Sequence, residues 1–310
     1  MKKLSRREFL GTLAGLGAAA VLGGCGKTNG TGVTALPSRT SKLTSGVLSI
    51  ASGDDPSAIT KAAIAAIGGM DKLVKIGDFV VIKPNMAWSR PADVAATTNP
   101  KVIAALIEMC KQAGAKRILV LDHLLDSPAE ATMAICGIMA AGQAAGAEVR
   151  AAQNESEYRS IQIPKGVMLK SDTCIKDILE ADVFINVPIA KSHSATKLSL
   201  GMKNLMGCNW DRQAWHTKPS LDQCIADYLS AIKPDLTVLD ANRILLTNGP
   251  KGPGETKDPK QVIASTDAVA IDAYGATLFG MKPSEIEYVK LAAAMGLGEM
   301  DLSKVKTIKA

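Results

Sequence analysis

A chain of 310 residues, 47% of them hydrophobic and only 4% aromatic, is long enough for one large α/β domain or two small ones with a full hydrophobic core. Its 36 basic and 30 acidic residues give a net charge of +6 without any Lys/Arg block, which speaks against nucleic acid as a partner. Six cysteines with no C-x-x-C pair exclude a locally encoded zinc knuckle or ferredoxin-type cluster site, and their wide spacing excludes a disulfide scaffold.

Residues 1–24 read as an export signal. Lys2, Lys3, Arg6 and Arg7 form a basic start, and Leu10 to Leu22 is an apolar stretch too short to span a bilayer comfortably. "SRREFLG" resembles a twin-arginine motif, whose pair Arg6 and Arg7 is read by a receptor. "LGGC" resembles a lipobox, in which Cys25 is lipidated and becomes the mature N-terminus. The expected partners are therefore the twin-arginine translocase, the lipoprotein-processing machinery and membrane lipid. The expected location is the cell envelope, with the chain exported and anchored at Cys25. Removing residues 1–24 takes away four of the 36 basic residues and one of the 30 acidic ones, leaving a net charge of +3. Residues 25–46, rich in Gly, Thr and Ser, read as a flexible tether, and residues 47–310 as a single α/β domain.

Within that domain apolar strand-like runs alternate with helical patterns. "FVVIKPN" (79–85) reads as a strand. "NPKVIAALIEMCKQAGAK" (99–116) reads as a helix with Asn99 as N-cap, Pro100 in the first turn and Gly114 near the end. "RILVLD" (117–122) is the next strand, residues 127–147 the next helix, and "EVRAAQ" a third strand. Residues 153–175 read as an irregular polar connection, followed by the most apolar strand, "ADVFINVPI" (181–189). From Ser194 the spacing of Leu198, Met202, Leu205 and Met206 predicts a short helix. A helix at 221–232, strands at 235–241 and 260–266, and two further helices complete the domain, with the glycine-rich loop 248–258 between the two strands. Repeated β-α units with continuous apolar strands predict a mostly parallel sheet with helices on both faces, doubly wound with Rossmann-like layers.

In such sheets ligands bind beyond the carboxyl ends of the strands. Five predicted strands end in polar side chains: Lys83 and Asn85, Asp122 and His123, Lys191 and His193, Asp240 and Asn242, and Asp267. Lys191 and His193, two apart, share one side if the strand continues through them. Lysine suits an anionic carboxylate or phosphate, and histidine is the side chain best placed to move protons near neutral pH. Lys203 and Asn204 lie beside the predicted apolar stripe. Cys208 reads either as a buried thiol or as a ligand or nucleophile. Asp272, set among apolar residues, is a carboxylate in need of a partner.

"VVIKPN", "ATTNPKVIAALIEMCKQAGAK", "INVPIAKSHSATKLSLGMKNLMGC", "PDLTVLDANRILLTNGP" and "STDAVAIDAYGATLFG" together resemble the DUF362 family. The resemblance covers nearly all of residues 47–308. It implies that Lys83, Asn85, Lys191, His193, Lys203, Asn204, Asp240, Asp267 and Asp272 occupy family-pattern positions. It also implies an association with iron–sulfur proteins and a ferredoxin-like redox partner, although this chain has no closely spaced cysteines. The leading expectation is an exported redox or cofactor-using enzyme acting on a small anionic substrate. Lys83, Lys191 and Lys203 would hold the anion, assisted by Asn85, Asn204, Asp240 and Asp267. His193 would act as acid/base or as a metal ligand, and Lys191, Asp272 or Cys208 would assist. The cofactor expected is a metal ion or an iron–sulfur cluster. Two alternatives stay open: a lactate racemase-like isomerase of the nickel-pincer type, and a lipoprotein that binds an anionic ligand without turnover.

Overall fold

The computed structural model describes Leu43 and residues 46–310. Arg6, Arg7 and Cys25, with the expected signal and most of the tether, lie outside the described residues.

The strands in chain order are β1 (Val47–Ser52), β2 (Phe79–Pro84), β3 (Arg117–Asp122), β4 (Glu148–Ala151), β5 (Tyr158–Gln162), β6 (Ser171–Ile175), β7 (Val183–Val187), β8 (Ile189–His193), β9 (Lys197–Ser199), β10 (Leu236–Leu245), β11 (Thr256–Lys257), β12 (Gln261–Ser265) and β13 (Lys306–Lys309). The main sheet runs β13-β1-β12-β10-β7-β2-β3-β4, with β8, β9 and β11 attached beside β10. From β10 to β4 every neighbour is parallel, whereas β12 is antiparallel to both β10 and β1. This is a mostly parallel mixed sheet with helices on both sides, as the alternating pattern predicts.

The reason lies in the strand sequences. In β2, Val81 joins the hydrophobic core on one face, while Val80 and Ile82 join the core on the other. β3 divides in the same way, with Leu119 and Leu121 opposed to Ile118 and Val120. A strand apolar at every position must be covered twice. Each such side chain contributes about 1.5–3 kcal/mol by leaving water. The helix Pro100–Gln112 supplies part of one cover, burying Val102, Ile103, Leu106, Ile107 and Cys110 at helical spacing. It begins as predicted, with the Asn99 side chain accepting from Lys101 N at 2.9 Å.

Three expectations change. The helix expected over 127–147 is two, Ala129–Ile135 and Ile138–Ala145, separated at Gly137, whose φ of 76° leaves the helical region. The connection 153–175 contains an antiparallel hairpin, β5 with β6. The helix expected from Ser194 starts only at Gly201. Before it, β8 and β9 form a second hairpin, closed at Lys197 with φ 62°. Lys191 and His193 therefore do share one strand.

Candidate functional site

β2, β3 and β7 run parallel and end side by side, and a cleft opens beyond their carboxyl ends. Among the described residues, Lys83, Asn85, Asp122, Lys191, His193, Lys203, Asn204 and Arg212 line it, together with Trp88, Met206 and Pro250. Four cations thus face one carboxylate. That carboxylate, Asp122, is committed to Lys83 at 2.8 Å, with both side chains buried. It also accepts from Met86 N and His123 N. The pair lies so close to Gly207 that a Cβ there would stand 2.6 Å from Asp122 Oδ1 and 2.8 Å from Lys83 Nζ.

The other cations have no such partner. Lys191 is 1% exposed and donates to Ala96 O at 2.5 Å and Asn85 Oδ1 at 3.2 Å. Among the described residues Lys203, at 8% exposure, donates only to the Met206 sulfur, at 3.0 Å. Arg212 donates to Leu124 O. Among the described residues none of the three forms an ion pair. Burial, with Lys203 nearby, pulls Lys191 down to about 7; burial, with Arg212 nearby, pulls Lys203 down to about 7. Two lysines poised between charged and neutral at physiological pH are the electrostatic signature of this cleft.

His193 differs from the sequence expectation. Burial and the charges of Lys203 and Lys191 pull it down to about 3, and its Nδ1 accepts from Ala195 N. It is therefore a neutral imidazole with Nε2–H as its donor, and it carries no proton to give up near pH 7.

Amides hold Lys191 in place. Asn186 donates to Gly201 O, and its Oδ1 accepts from Asn204 Nδ2 at 2.8 Å. Asn204 Oδ1 accepts from Asn85 Nδ2 at 3.0 Å, which turns the Asn85 oxygen toward Lys191. Donors and acceptors are matched along the whole chain, so no member is left orphaned.

The remaining expected residues fall elsewhere. Asp272 is fully buried and accepts from Gly201 N at 2.6 Å and Met202 N at 2.8 Å, so it caps the helix Gly201–Asn204 that presents Lys203. Burial pushes it up to about 8. It positions the site from behind and does not line the cleft. Its partners are backbone N–H groups, where the sequence suggested a lysine. Asp272→Ala is expected to cost roughly 2–4 kcal/mol by leaving two buried donors unpaired. Urea unfolding measures it, and a loss near zero would contradict the capping role. Asp240 accepts from Asn99 N and from Asn242, bracing the start of the helix Pro100–Gln112. Asp267 is the N-cap of the helix Ala268–Thr277 and also accepts from Glu299 N. Neither lines the cleft.

Cys208 is fully buried and its thiol is pushed well up by that burial, so it is neither an accessible nucleophile nor a ready ligand. The cysteines at 110, 136, 174, 208 and 224 are all buried, and among the described residues none forms a disulfide. Among the described residues no three His, Cys, Asp or Glu side chains come together as a metal site would need. The donor set thus does not fit an iron–sulfur cluster or a metal ion held by His193 and Cys208. Sequence reasoning missed Arg212 and Trp88. Trp88 is overlain by Lys251, which pairs with Asp126 at 3.0 Å and fastens the loop carrying Pro250 beside the cleft.

Fold and site together define an α/β protein with a cation-lined cleft at the strand ends of a mostly parallel sheet. The chain belongs to the DUF362 family: residues 80–277 match its model, described as a domain of unknown function. A thylakoid-associated protein from Synechocystis is 28% identical over 258 residues, covering 76% of this chain and 74% of the relative. Among solved structures, the lactate racemase apoprotein from Thermoanaerobacterium thermosaccharolyticum is similar at a TM-score of 0.46 and 15% identity. That match covers 76% of this chain and 57% of the other.

Proposed function

We propose that the cleft binds a small anionic substrate and that Lys191 exchanges a proton with it, making the protein an acid–base enzyme. One observation carries the reading. Lys191 and Lys203 are buried, and among the described residues neither forms an ion pair: the carboxylates of Asp122 and Asp222 act on them only from beyond ion-pairing distance. An anion entering between them supplies the missing charge. Lys83 and Arg212 add to the field, and His193 Nε2–H is a further donor. A lysine at about 7 is well matched to general acid–base work near neutral pH. The reading uses no metal, cluster or ferredoxin-like partner, since the described cysteines and histidines form no ligand set.

Titration with sulfate across pH 6 to 9 tests the binding half. The folded, ligand-free lysines lose their protons above about 7, so affinity is expected to hold below that pH and to fall above it. The fall approaches tenfold per pH unit for each lysine that must be recharged. A pH-independent affinity contradicts the proposal. Deuterium uptake from D2O into small carboxylates tests the catalytic half; binding without exchange would leave the non-catalytic ligand-binding reading.

Export and anchoring at Cys25 belong to the same proposal and rest on the sequence around Arg6, Arg7 and Cys25. Cys25→Ser is expected to move the protein from the membrane fraction to the soluble envelope fraction. Unchanged membrane association would sink the anchor.

A further inference from the structure

We propose that the anion held by the cleft carries an aromatic or similarly flat ring, and that this ring is seated in the adjoining pocket. The inference rests on the anion-binding reading and adds the shape of the substrate.

Size is the first argument. The cation-lined cleft encloses about 60 Å³. At roughly 10–15 Å³ for each water-sized group, that is room for about five such groups, the bulk of a phosphate or a small carboxylate. The cleft accepts a headgroup and little more. A second pocket of about 260 Å³ shares Met206 and Arg212 as lining residues with the first. A ligand whose charged end sits in the small cleft has this larger space next to it.

The second argument is chemical. The adjoining pocket is lined by His123, Leu124, Leu125 and Trp210. The His123 and Trp210 rings are stacked with centroids 5.3 Å apart and 12° between planes, and Tyr158 is tilted against both. Burial lowers the His123 pKa, and its Nδ1 donates to Asn209 O, so the stack is a neutral aromatic wall. The Met206 thioether, shared by both pockets, is a favourable neighbour for a ring. Leu125 is a large apolar side chain left 52% exposed at this pocket. A ring in the pocket would cover it.

Charge gives the third argument. Asp211 lies in the second pocket beside Arg212, and burial together with Lys203 lowers the His216 pKa and keeps that imidazole neutral. The excess of cations is therefore confined to the small cleft. The two spaces divide the work: charge is bound in one and apolar surface in the other, with Arg212 at the junction.

The test is a pair of titrations of the full chain at pH 7, with inorganic phosphate and with phenyl phosphate. Phenyl phosphate is expected to bind about tenfold tighter, the yield of burying one ring face. In Trp210→Ala and in Leu125→Gln the ratio of the two affinities is expected to collapse toward one. Equal affinities in the wild type, or a ratio that survives both substitutions, would overturn the ring pocket while leaving anion binding intact. Failure of phosphate itself to bind would instead overturn the anion reading beneath it.

Discussion

In Lys191→Met, sulfate is expected to bind roughly a hundredfold more weakly than in the wild type. Removing one member of a desolvated charge contact costs about 2–5 kcal/mol, and a hundredfold is about 2.7 kcal/mol. The same substitution is expected to leave the anion-free protein as stable as the wild type or more so, which separates a binding role from a structural one. The sign follows from linkage. The folded-state pKa of Lys191 lies at about 7, below its ordinary value of 10.5. Between those values the unfolded chain binds the additional proton, so wild-type stability contains a term that rises with pH across that window. Methionine has no proton to bind, and the term disappears. The stability gap between variant and wild type is therefore expected to be widest near pH 7 and to shrink toward pH 10. A destabilised variant with unchanged sulfate affinity would show Lys191 to be a structural residue only.

Lys83→Met is expected to act in the opposite way. Lys83 and Asp122 are 2.8 Å apart with side chains 1% and 2% exposed, and Asp122 has no other cation within ion-pairing distance among the described residues. Breaking such a pair leaves a buried charge without compensation, at about 3–5 kcal/mol. Urea denaturation in anion-free buffer should show most of that loss. Lys83→Met with Asp122→Leu should recover much of it, because no orphan charge remains. Recovery is incomplete, since Asp122 also satisfies Met86 N and His123 N. A single-variant loss below about 1 kcal/mol would place the pair in the class of exposed ion pairs and contradict its burial. The two lysines are thus expected to do different work: Lys83 neutralises a carboxylate inside the fold, and Lys191 is proposed to receive an anion from outside.

Much of this arrangement is legible in the sequence because strands covered on both faces leave polar residues only at their ends. Lys83, Asn85, Lys191 and His193 follow apolar runs, and the structure brings all four into one cleft. Lys203 and Asn204 join them through the helix Gly201–Asn204. Asp267 follows β12, but Asp240, expected at a strand end, stands within β10; both serve helix starts and do not reach the cleft. Residue type and position at a strand end do not say which way a carboxylate faces when backbone N–H groups compete for it.

The hairpin of β8 and β9 was hidden for a local reason. Its turn places Lys197 at φ 62°, a conformation that Gly or Asn usually marks, so no turn residue announces it. The hairpin of β5 and β6 was visible in principle. Ile161 and Ile163 alternate with polar neighbours, and Pro164-Lys165-Gly166 is a turn sequence. Arg212 carries a fainter signal: it follows Asp211, which caps the helix Arg212–His216, only four residues after Cys208. That this arginine turns into the cleft depends on packing between distant segments, which no local pattern encodes. The depressed pKa values of Lys191, Lys203 and His193 belong to the same class, because burial and mutual repulsion appear only once the segments meet.

In the proposed function, Lys191 and Lys203 are held partly uncharged until an anion arrives. Calorimetric titration with sulfate at pH 8, in two buffers of different ionisation enthalpy, counts the protons taken up on binding. Both lysines stand at about 7 in the free protein, so most molecules lack both protons at that pH. Sulfate itself takes up none near neutrality, and an uptake of between one and two protons per sulfate bound is expected. Binding with no proton uptake would contradict it.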